Sequence, residues 1–313
     1  MRTTSIPQLT AKPVPVVGVG AMPLSNPRDD GPDPMDPAES IALLHHAFGL
    51  GMTLVDTADI YAPDAERLGH NERVVGDAVR TWPGGRDALI VVTKIGITRT
   101  QGAEGDEWGR DGSRDYLLRA AEASVERLGF VPDVIINHRV NREQAPYADT
   151  VRGMLAVREA GFAPAIGIGN VHGDEADIAW EVSEGTIAAV ENERSPRFRG
   201  DTDVFEWAIA HQVAFFPWSP FGGASDAKGL PDRYPEFAAV ARELSTPGGH
   251  EVSAHQVALA WLIAHGPAVV PIPGFTRTAS ADASAQAADL ELTADQVARL
   301  DATQGLPTSV FPD

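Results

Sequence analysis

Short apolar runs rich in β-branched residues alternate along this chain with longer stretches whose apolar positions recur at helical period. That alternation is the signature of βα units and a parallel sheet. The pattern predicts eight strands, at 16–20, 53–56, 89–94, 134–138, 165–170, 186–192, 213–218 and 268–273. Helices are predicted at 37–49, 71–80, 113–128, 147–160, 174–184, 204–211, 253–265 and 280–289. Local chemistry marks several of their ends. Asp36-Pro37-Ala38-Glu39 reads as a capping box with proline at the first helical position, and Ser253-Ala254-His255-Gln256 repeats the box. Thr293-Ala294-Asp295-Gln296 repeats it again and opens an additional C-terminal helix. Gly49, Gly129, Gly161 and Gly266 stand where helices should stop.

Eight such units fit either a doubly wound sheet or a closed barrel. Their fairly even spacing, with no linker and no second domain-like block, favours an α/β fold of the (β/α)8 TIM-barrel type, one domain over residues 1–313. Two long polar connections follow strands: 25–36, rich in Pro and Asp, and 99–112, which carries Trp108. In a barrel both overhang the C-terminal face, where active sites form.

Composition narrows the function. Apolar residues make up 43% of the chain, enough for a large core, and no apolar run approaches the ~20 residues of a membrane span. Residues 1–13 contain no apolar leader segment, so a cytoplasmic location is expected. The absence of cysteine excludes disulfides and thiolate chemistry. A formal net charge of −19 argues against nucleic acid as a partner. It also means that a site for a phosphorylated molecule must concentrate its few cations locally.

The candidate chemistry lies at strand ends. Asp56 ends the second predicted strand, Lys94 the third and His138 the fourth, while Tyr61 follows Asp56 by five residues. Taken singly, each has an ordinary structural role open to it, but together they converge on one barrel mouth. The other histidines do not form a metal site. His45 and His46 are adjacent on a helix, and His172, His211, His250, His255 and His265 lack ligand spacing. Trp180, Trp207 and Trp261 fall on helices and read as packing; Trp108 fits a substrate pocket or loop packing equally well.

These residues belong to longer motifs. Thr53-Leu54-Val55-Asp56-Thr57-Ala58-Asp59-Ile60-Tyr61, followed by Gly69-His70-Asn71-Glu72-Arg73, resembles the second-strand signature of the aldo-keto reductases. Val92-Thr93-Lys94, Ser124-Val125-Glu126-Arg127-Leu128-Gly129 and Ile135-Ile136-Asn137-His138-Arg139 are similar to the segments that follow it. Gly167-Ile168-Gly169-Asn170, Val190-Glu191-Asn192-Glu193, Phe216-Pro217-Trp218-Ser219-Pro220-Phe221-Gly222 and Val270-Pro271-Ile272-Pro273-Gly274 continue in family order.

The resemblance implies carbonyl reduction by hydride from a nicotinamide cofactor, NADP(H) with NAD(H) as the alternative, acting on a small-molecule aldehyde or ketone. It implies Tyr61 as the acid, with Lys94, Asp56 and His138 around it. An ordinary phenol with a pKa near ~10 is a poor acid at neutral pH, so a neighbouring Lys94 ammonium would be expected to lower its pKa. For the cofactor it implies Asn170, Glu191 and the run Trp218, Ser219, Pro220, Phe221 and Gly222. Here Trp218 stands for the more usual tyrosine, Gly169 for serine and Glu191 for glutamine. The adenosine-phosphate segment would comprise Gly274, Phe275, Thr276, Arg277, Ser280 and Ser284. The family's basic, acidic and amide positions there hold Ser280, Ala283 and Ser284, leaving Arg277 as the nearby cation. Ile60, Trp108 and Arg139 are the substrate-side candidates, and the short tail after Gly305 implies a comparatively open pocket. A monomer is expected from the family. Two other readings stand beside this one: a nicotinamide-binding regulatory or sensor protein with little turnover, and a barrel hydrolase or lyase using Asp56, Asp59 or Glu191 as paired carboxylates.

Overall fold

The computed structural model describes residues 1–27, 31, 33–103, 105–143, 146–246 and 251–311. His250 and part of the 25–36 connection therefore lie outside the described residues. A hairpin of β1 (Thr3–Thr4) and β2 (Val14–Pro15) precedes the barrel. β3 (Val19–Gly20), β4 (Leu54–Asp56) and β5 (Ile90–Ile95) then begin a curled parallel sheet. An antiparallel hairpin of β6 (Ile97–Gly102) and β7 (Gly105–Arg110) interrupts it. The sheet continues through β8 (Val134–Asn137), β9 (Ala165–Gly169), β10 (Ala189–Glu191) and β11 (Ala214–Phe215), each parallel to the one before.

Residues 268–274 close the ring between β11 and β3. On one side Phe215 N–H donates to the Ala268 carbonyl (2.8 Å) and Val270 N–H to that of Phe215 (2.9 Å). On the other, Gly18 and Gly20 donate to the carbonyls of Pro271 (2.9 Å) and Pro273 (3.0 Å). The two prolines have no N–H to return, so the eighth strand pairs through isolated bridges instead of a continuous ladder. The eight predicted strands thus form a closed (β/α)8 barrel.

The outer helices are α1 (Pro37–Gly49), α2 (His70–Thr81), α3 (Arg114–Leu128), α4 (Tyr147–Glu159), α5 (Gly173–Val182) and α6 (Thr202–Ala210). Three further helices, α7 (Ala224–Ala227), α8 (Leu230–Arg233) and α9 (Pro235–Leu244), fill the connection after β11, where the sequence pattern predicts none. α10 (Ala254–Ala264) and α11 (Thr278–Ala287) complete the ring, and α12 (Ala294–Asp301) is the additional C-terminal helix. Asp36 accepts from the N–H groups of Ala38 and Glu39, and full capping boxes form at Ser253/Gln256 and Thr293/Gln296. Gly129 ends α3 in the left-handed region at φ +79°, a conformation that suits glycine.

Side chains alternate across each strand. Outward residues such as Val55, Val91, Ile135, Ile168, Val190 and Phe215 pack against the helices. Inward residues Leu54, Ile90, Val92, Val134, Ile136, Ala189, Ala214 and Phe216 fill the barrel with Ile6, Leu9 and Val14 of the N-terminal segment.

One expectation needs correction. Residues 97–102 and 105–110 pair as antiparallel strands where the sequence predicts a polar loop over 99–112. Arg99, only 9% exposed, donates from its guanidinium to the carbonyls of Ala62 (2.7 Å) and Pro63 (3.0 Å) and pairs with Asp106 (2.6 Å). A buried cation that satisfies this many acceptors ties the hairpin to the loop carrying Tyr61, which apolar periodicity could not reveal.

Candidate active site

The inward alternation explains the site. Along the barrel axis, the apolar inward residues give way to polar or aromatic ones at the next inward position. Leu54 is followed by Asp56, Val92 by Lys94, Ile136 by His138, Ala189 by Glu191 and Phe216 by Trp218. The same period that packs the core delivers five side chains to one mouth. They surround a cavity of about 920 Å³.

Lys94 lies at the centre, 1% exposed. Its Nζ donates to both Asp56 carboxylate oxygens (2.7 and 2.6 Å), to the Thr57 carbonyl (2.9 Å) and to the Tyr61 hydroxyl (3.1 Å). Glu191 Oε1 lies 3.2 Å away on the other side. The His138 ring meets the Tyr61 ring edge-on, with centroids 5.7 Å apart. A second layer fixes the strands themselves. Thr57, next to Asp56, donates to Asn71 (2.6 Å), and Thr93, next to Lys94, donates to Glu72 (2.6 Å). Arg127 completes that layer by pairing with Glu72 (2.5 Å). The Gly69–Arg73 motif therefore holds the chemical groups in place from behind.

Charge follows from this packing. Burial pushes Lys94 down, but the Asp56 carboxylate outweighs it and keeps the ammonium charged. Burial raises Asp56 against the pull of Lys94. His138 falls well below its ordinary value through burial and the nearby Lys94, Arg139 and Arg110 cations, so its imidazole is neutral at pH near ~7. The net effect on Tyr61 is the reverse of the one the resemblance implies. Burial raises it, Lys94 pulls it down, and the Asp56 carboxylate pushes it up again. The phenol is thus held protonated, ready to donate when charge develops on a neighbouring oxygen. Burial and the Asp56 carboxylate push Glu191 up to about 8.

Asp56, Tyr61, His138, Asn170, Glu191, Trp218, Ser219, Pro220, Phe221, Gly274, Ile60, Trp108 and Arg139 all reach the cavity wall, with Lys94 just beneath it. Gly222 does not; it makes the turn behind the wall at φ +84°. Asn170 and Ser219 both adopt left-handed backbone (φ +54° and +46°), a local strain of the kind that gathers at functional sites. Asn170 accepts from Trp218 Nε1 (3.1 Å) and donates to the His138 carbonyl (2.9 Å), so its amide orients the indole.

Phe275, Thr276, Arg277, Ser280 and Ser284 lie outside that wall. Phe275 packs into the core, and the buried Ser284 hydroxyl donates to the Ser280 carbonyl (2.9 Å). That leaves Ser284 poorly placed for a ligand, because it is turned into its own helix. Thr276 and Arg277 are exposed, and Arg277 is the N-cap of α11.

The tail is a further correction. It folds back over the mouth, where Val310 and Phe311 line the cavity and the Phe311 ring lies 6.0 Å from that of Trp218. Glu193 anchors it by accepting from Ser309 Oγ (2.5 Å) and Val310 N–H (2.9 Å), and Arg139 donates to the Phe311 carbonyl (2.7 Å). The pocket is less open than the tail's shortness implies, and Arg139 both lines it and bonds to the tail. Glu193 was visible only as part of a motif; no local signal marks it as an anchor. Among the described residues no group of three or more His, Asp or Glu side chains is arranged to hold a metal ion.

A buried Tyr–Lys–Asp–His cluster at the C-terminal mouth of a (β/α)8 barrel, beside an aromatic platform, defines an oxidoreductase-type barrel. The aldo/keto reductase family model matches residues 16–304. The chain is 30% identical over 301 residues to pyridoxine 4-dehydrogenase of Escherichia coli, covering 94% of this chain and 96% of that protein. It is 26% identical over 318 residues to versiconal hemiacetal acetate reductase of Aspergillus parasiticus, covering 88% and 89%. A solved aldo-keto reductase from Klebsiella pneumoniae in complex with NADPH shares the fold, with TM-score 0.76, 22% identity and coverage of 100% and 99%. This chain belongs to the aldo/keto reductase family.

Proposed function

We propose that the whole chain acts as one barrel unit, an NADP-dependent oxidoreductase that reduces the carbonyl of a small-molecule aldehyde or ketone. The observation that carries this reading is the Lys94 ammonium, buried between Asp56 and the Tyr61 hydroxyl on the cavity floor. The cavity also suits a nicotinamide. Trp218 offers a flat apolar face, while His138 Nδ1 and Glu191 Oε2 are buried polar atoms without a hydrogen-bond partner.

When bound, the nicotinamide supplies a hydride to the carbonyl carbon. Tyr61 donates its proton to the oxygen on which charge develops, and Lys94 stabilises the phenolate left behind. Asp56 holds Lys94 charged and in position. Neutral His138 hydrogen-bonds the substrate oxygen and aligns it with Tyr61. Arg277 and the first turn of α11 receive the cofactor's 2′-phosphate, and NADH serves as the weaker donor. Ile60 and Trp108 contact the substrate.

Among the described residues no helix is long and apolar enough to cross a membrane; we assign the protein to the cytoplasm as a monomer. A carbonyl panel assayed by loss of reduced-cofactor absorbance tests the function, with pyridoxine oxidation included because a relative is named for it. Cofactor binding without turnover on any member would overturn it in favour of a sensor.

A further inference from the structure

Three side chains at the cavity floor share one cation. Lys94 has three protons, and five oxygens lie within 3.2 Å of its Nζ. Asp56 takes the ammonium through both carboxylate oxygens, whereas Glu191 touches it through Oε1 alone, at the longest of these distances. Glu191 is 3% exposed and lines the cavity; its Oε2 meets no donor, and its carboxyl lies within hydrogen-bond reach of that of Asp56. An ionised carboxylate with a buried, unpartnered oxygen is costly, whereas a neutral carboxyl there carries a proton it can donate.

Charge balance gives the same answer. The ionisable groups around Glu191 are Lys94 on β5, Asp56 on β4, Tyr61 in the loop after β4 and His138 after β8. Asn170 and Trp218 add no charge. With Lys94 cationic, Asp56 anionic, and Tyr61 and His138 neutral, the cluster sums to zero only if Glu191 keeps its proton. A reduced nicotinamide ring is neutral and leaves that balance intact. An oxidised ring is a cation, and bringing it into a cavity of low polarity leaves one positive charge uncompensated.

We propose that Glu191 selects the oxidation state of the cofactor, keeping its proton beside a neutral dihydronicotinamide and releasing it to solvent when a pyridinium cation binds. This rests on the reading that the cavity holds a nicotinamide. Oxidised cofactor then binds with net loss of a proton, and reduced cofactor without one. The neutral acid presents one donor and one acceptor, as an amide does, so it serves the reduced ring's carboxamide. The ionised form serves the cationic ring. Glutamine at this position would give the first property and not the second.

The sign follows from linkage. Burial and Asp56 hold Glu191 protonated up to about 8, and an adjacent cation shifts it downward. Below the shifted value Glu191 is neutral in either complex, and the preference is flat. Between the two values each rise of one pH unit favours oxidised cofactor by at most about tenfold. The 2′-phosphate and pyrophosphate occur in both cofactor forms, so their titration cancels in the ratio of the two dissociation constants.

The test is to titrate NADP+ and NADPH separately into wild type, Glu191→Gln and Tyr61→Phe, from about pH 6 to about pH 9. In wild type, and equally in Tyr61→Phe, the ratio Kd(NADP+)/Kd(NADPH) should fall steeply with pH. In Glu191→Gln it should be flat. A flat wild-type ratio overturns the proposal, as does a slope that survives in Glu191→Gln but vanishes in Tyr61→Phe, which would make the phenol the proton source. Calorimetry on wild type alone, in buffers of different ionisation enthalpy, is independent of how the variants fold. Near neutral pH NADP+ should release up to about one proton more than NADPH does, the 2′-phosphate contributing equally to both. Failure of both cofactors to bind would instead overturn the nicotinamide reading, and this inference with it.

Discussion

At the barrel mouth, each reactive side chain is held by a neighbour that is itself held: Lys94 by Asp56, the strand beside Asp56 by Asn71, and the strand beside Lys94 by Glu72. Some 270–285 residues along, the segment assigned to the cofactor's phosphate offers the exposed Thr276 and Arg277 and a serine hydroxyl already bonded within its own helix. The mouth is over-determined and the phosphate end is barely specified. Chemistry that depends on a few tenths of an ångström is built on strand ends, where packing sets geometry. Affinity for a distant phosphate needs only a local excess of positive potential, which an exposed guanidinium and a helix N-terminus can provide. Substitutions at the first region should therefore cost orders of magnitude, and those at the second about one.

Tyr61→Phe is the severest test. It keeps the ring and its contact with His138 while removing the hydroxyl proton that is transferred to the substrate oxygen. Turnover should fall by about 10²–10⁴-fold, with cofactor dissociation constants unchanged. Near-normal turnover would dissolve the distinction between the two regions. Lys94→Met probes the same network through stability. It leaves the Asp56 carboxylate buried without its cation, a loss of about 3–5 kcal/mol when one partner of a buried pair is removed. The sign with pH is fixed: a buried carboxylate whose folded pKa is raised destabilises the fold increasingly as pH rises past the ordinary carboxylate value, and the penalty is complete above the raised one. The deficit should shrink as pH falls and Asp56 takes up a proton. Adding Asp56→Asn should recover much of the lost thermal stability at neutral pH without restoring turnover. Failure of the double variant to recover any would show that Lys94 contributes packing and not charge.

Arg99→Ala should act at an intermediate level. It removes the guanidinium that joins the β6–β7 hairpin to the carbonyls of the Tyr61 loop. The loss should be roughly 10- to 100-fold in kcat/KM, because small displacements of a catalytic group are amplified. Hydrogen exchange of residues 97–110 should rise in parallel; unchanged exchange with lowered activity would place Arg99 in the chemistry instead.

What the sequence discloses follows the same division. Asp56, Lys94 and His138 are legible because ionisable residues closing apolar strands have few purely structural reasons to converge there. Asp36, Ser253 and Thr293 are legible because capping is local chemistry. The β6–β7 hairpin is not, because its strands are polar and glycine-bearing and the groups that secure it, Arg99 to the Tyr61 loop and Arg110 to the Val140 carbonyl, act over distances of about thirty residues or more. The tail's return over Trp218 depends on Glu193, more than a hundred residues away in sequence. The upward shift of Tyr61 was hidden for a related reason. Lys94 is visible in the sequence as a cation, but the burial and the Asp56 carboxylate that overrule it appear only in three dimensions. The orientation of Ser284 is likewise hidden, since nothing in the sequence shows that its hydroxyl bonds to the Ser280 carbonyl within its own helix.

The smallest effect belongs to Arg277, and it is the one that can most directly overturn the picture of a loosely specified phosphate end. Arg277 caps α11 with extended backbone and no side-chain cap bond, and it is exposed. Free N–H groups of the first turn of α11 lie next to it, and the helix dipole adds a modest positive potential. Asp282, one turn further on, is engaged with His46 (2.7 Å) and works against an incoming dianion. Preference for NADPH over NADH should therefore be present but modest. Hydrogen bonds to charged groups contribute about 1.5–3 kcal/mol, and solvent screening at an exposed site puts Arg277 at the low end of that range. Arg277→Ala should weaken NADPH about tenfold, leave NADH nearly unchanged, and flatten the salt dependence of NADPH binding. Isothermal titration of both cofactors at two fixed salt concentrations separates the outcomes. A loss well beyond a hundredfold would mean that this end is as tightly constructed as the mouth, and equal losses for both cofactors would mean that Arg277 holds the helix terminus and never meets the phosphate.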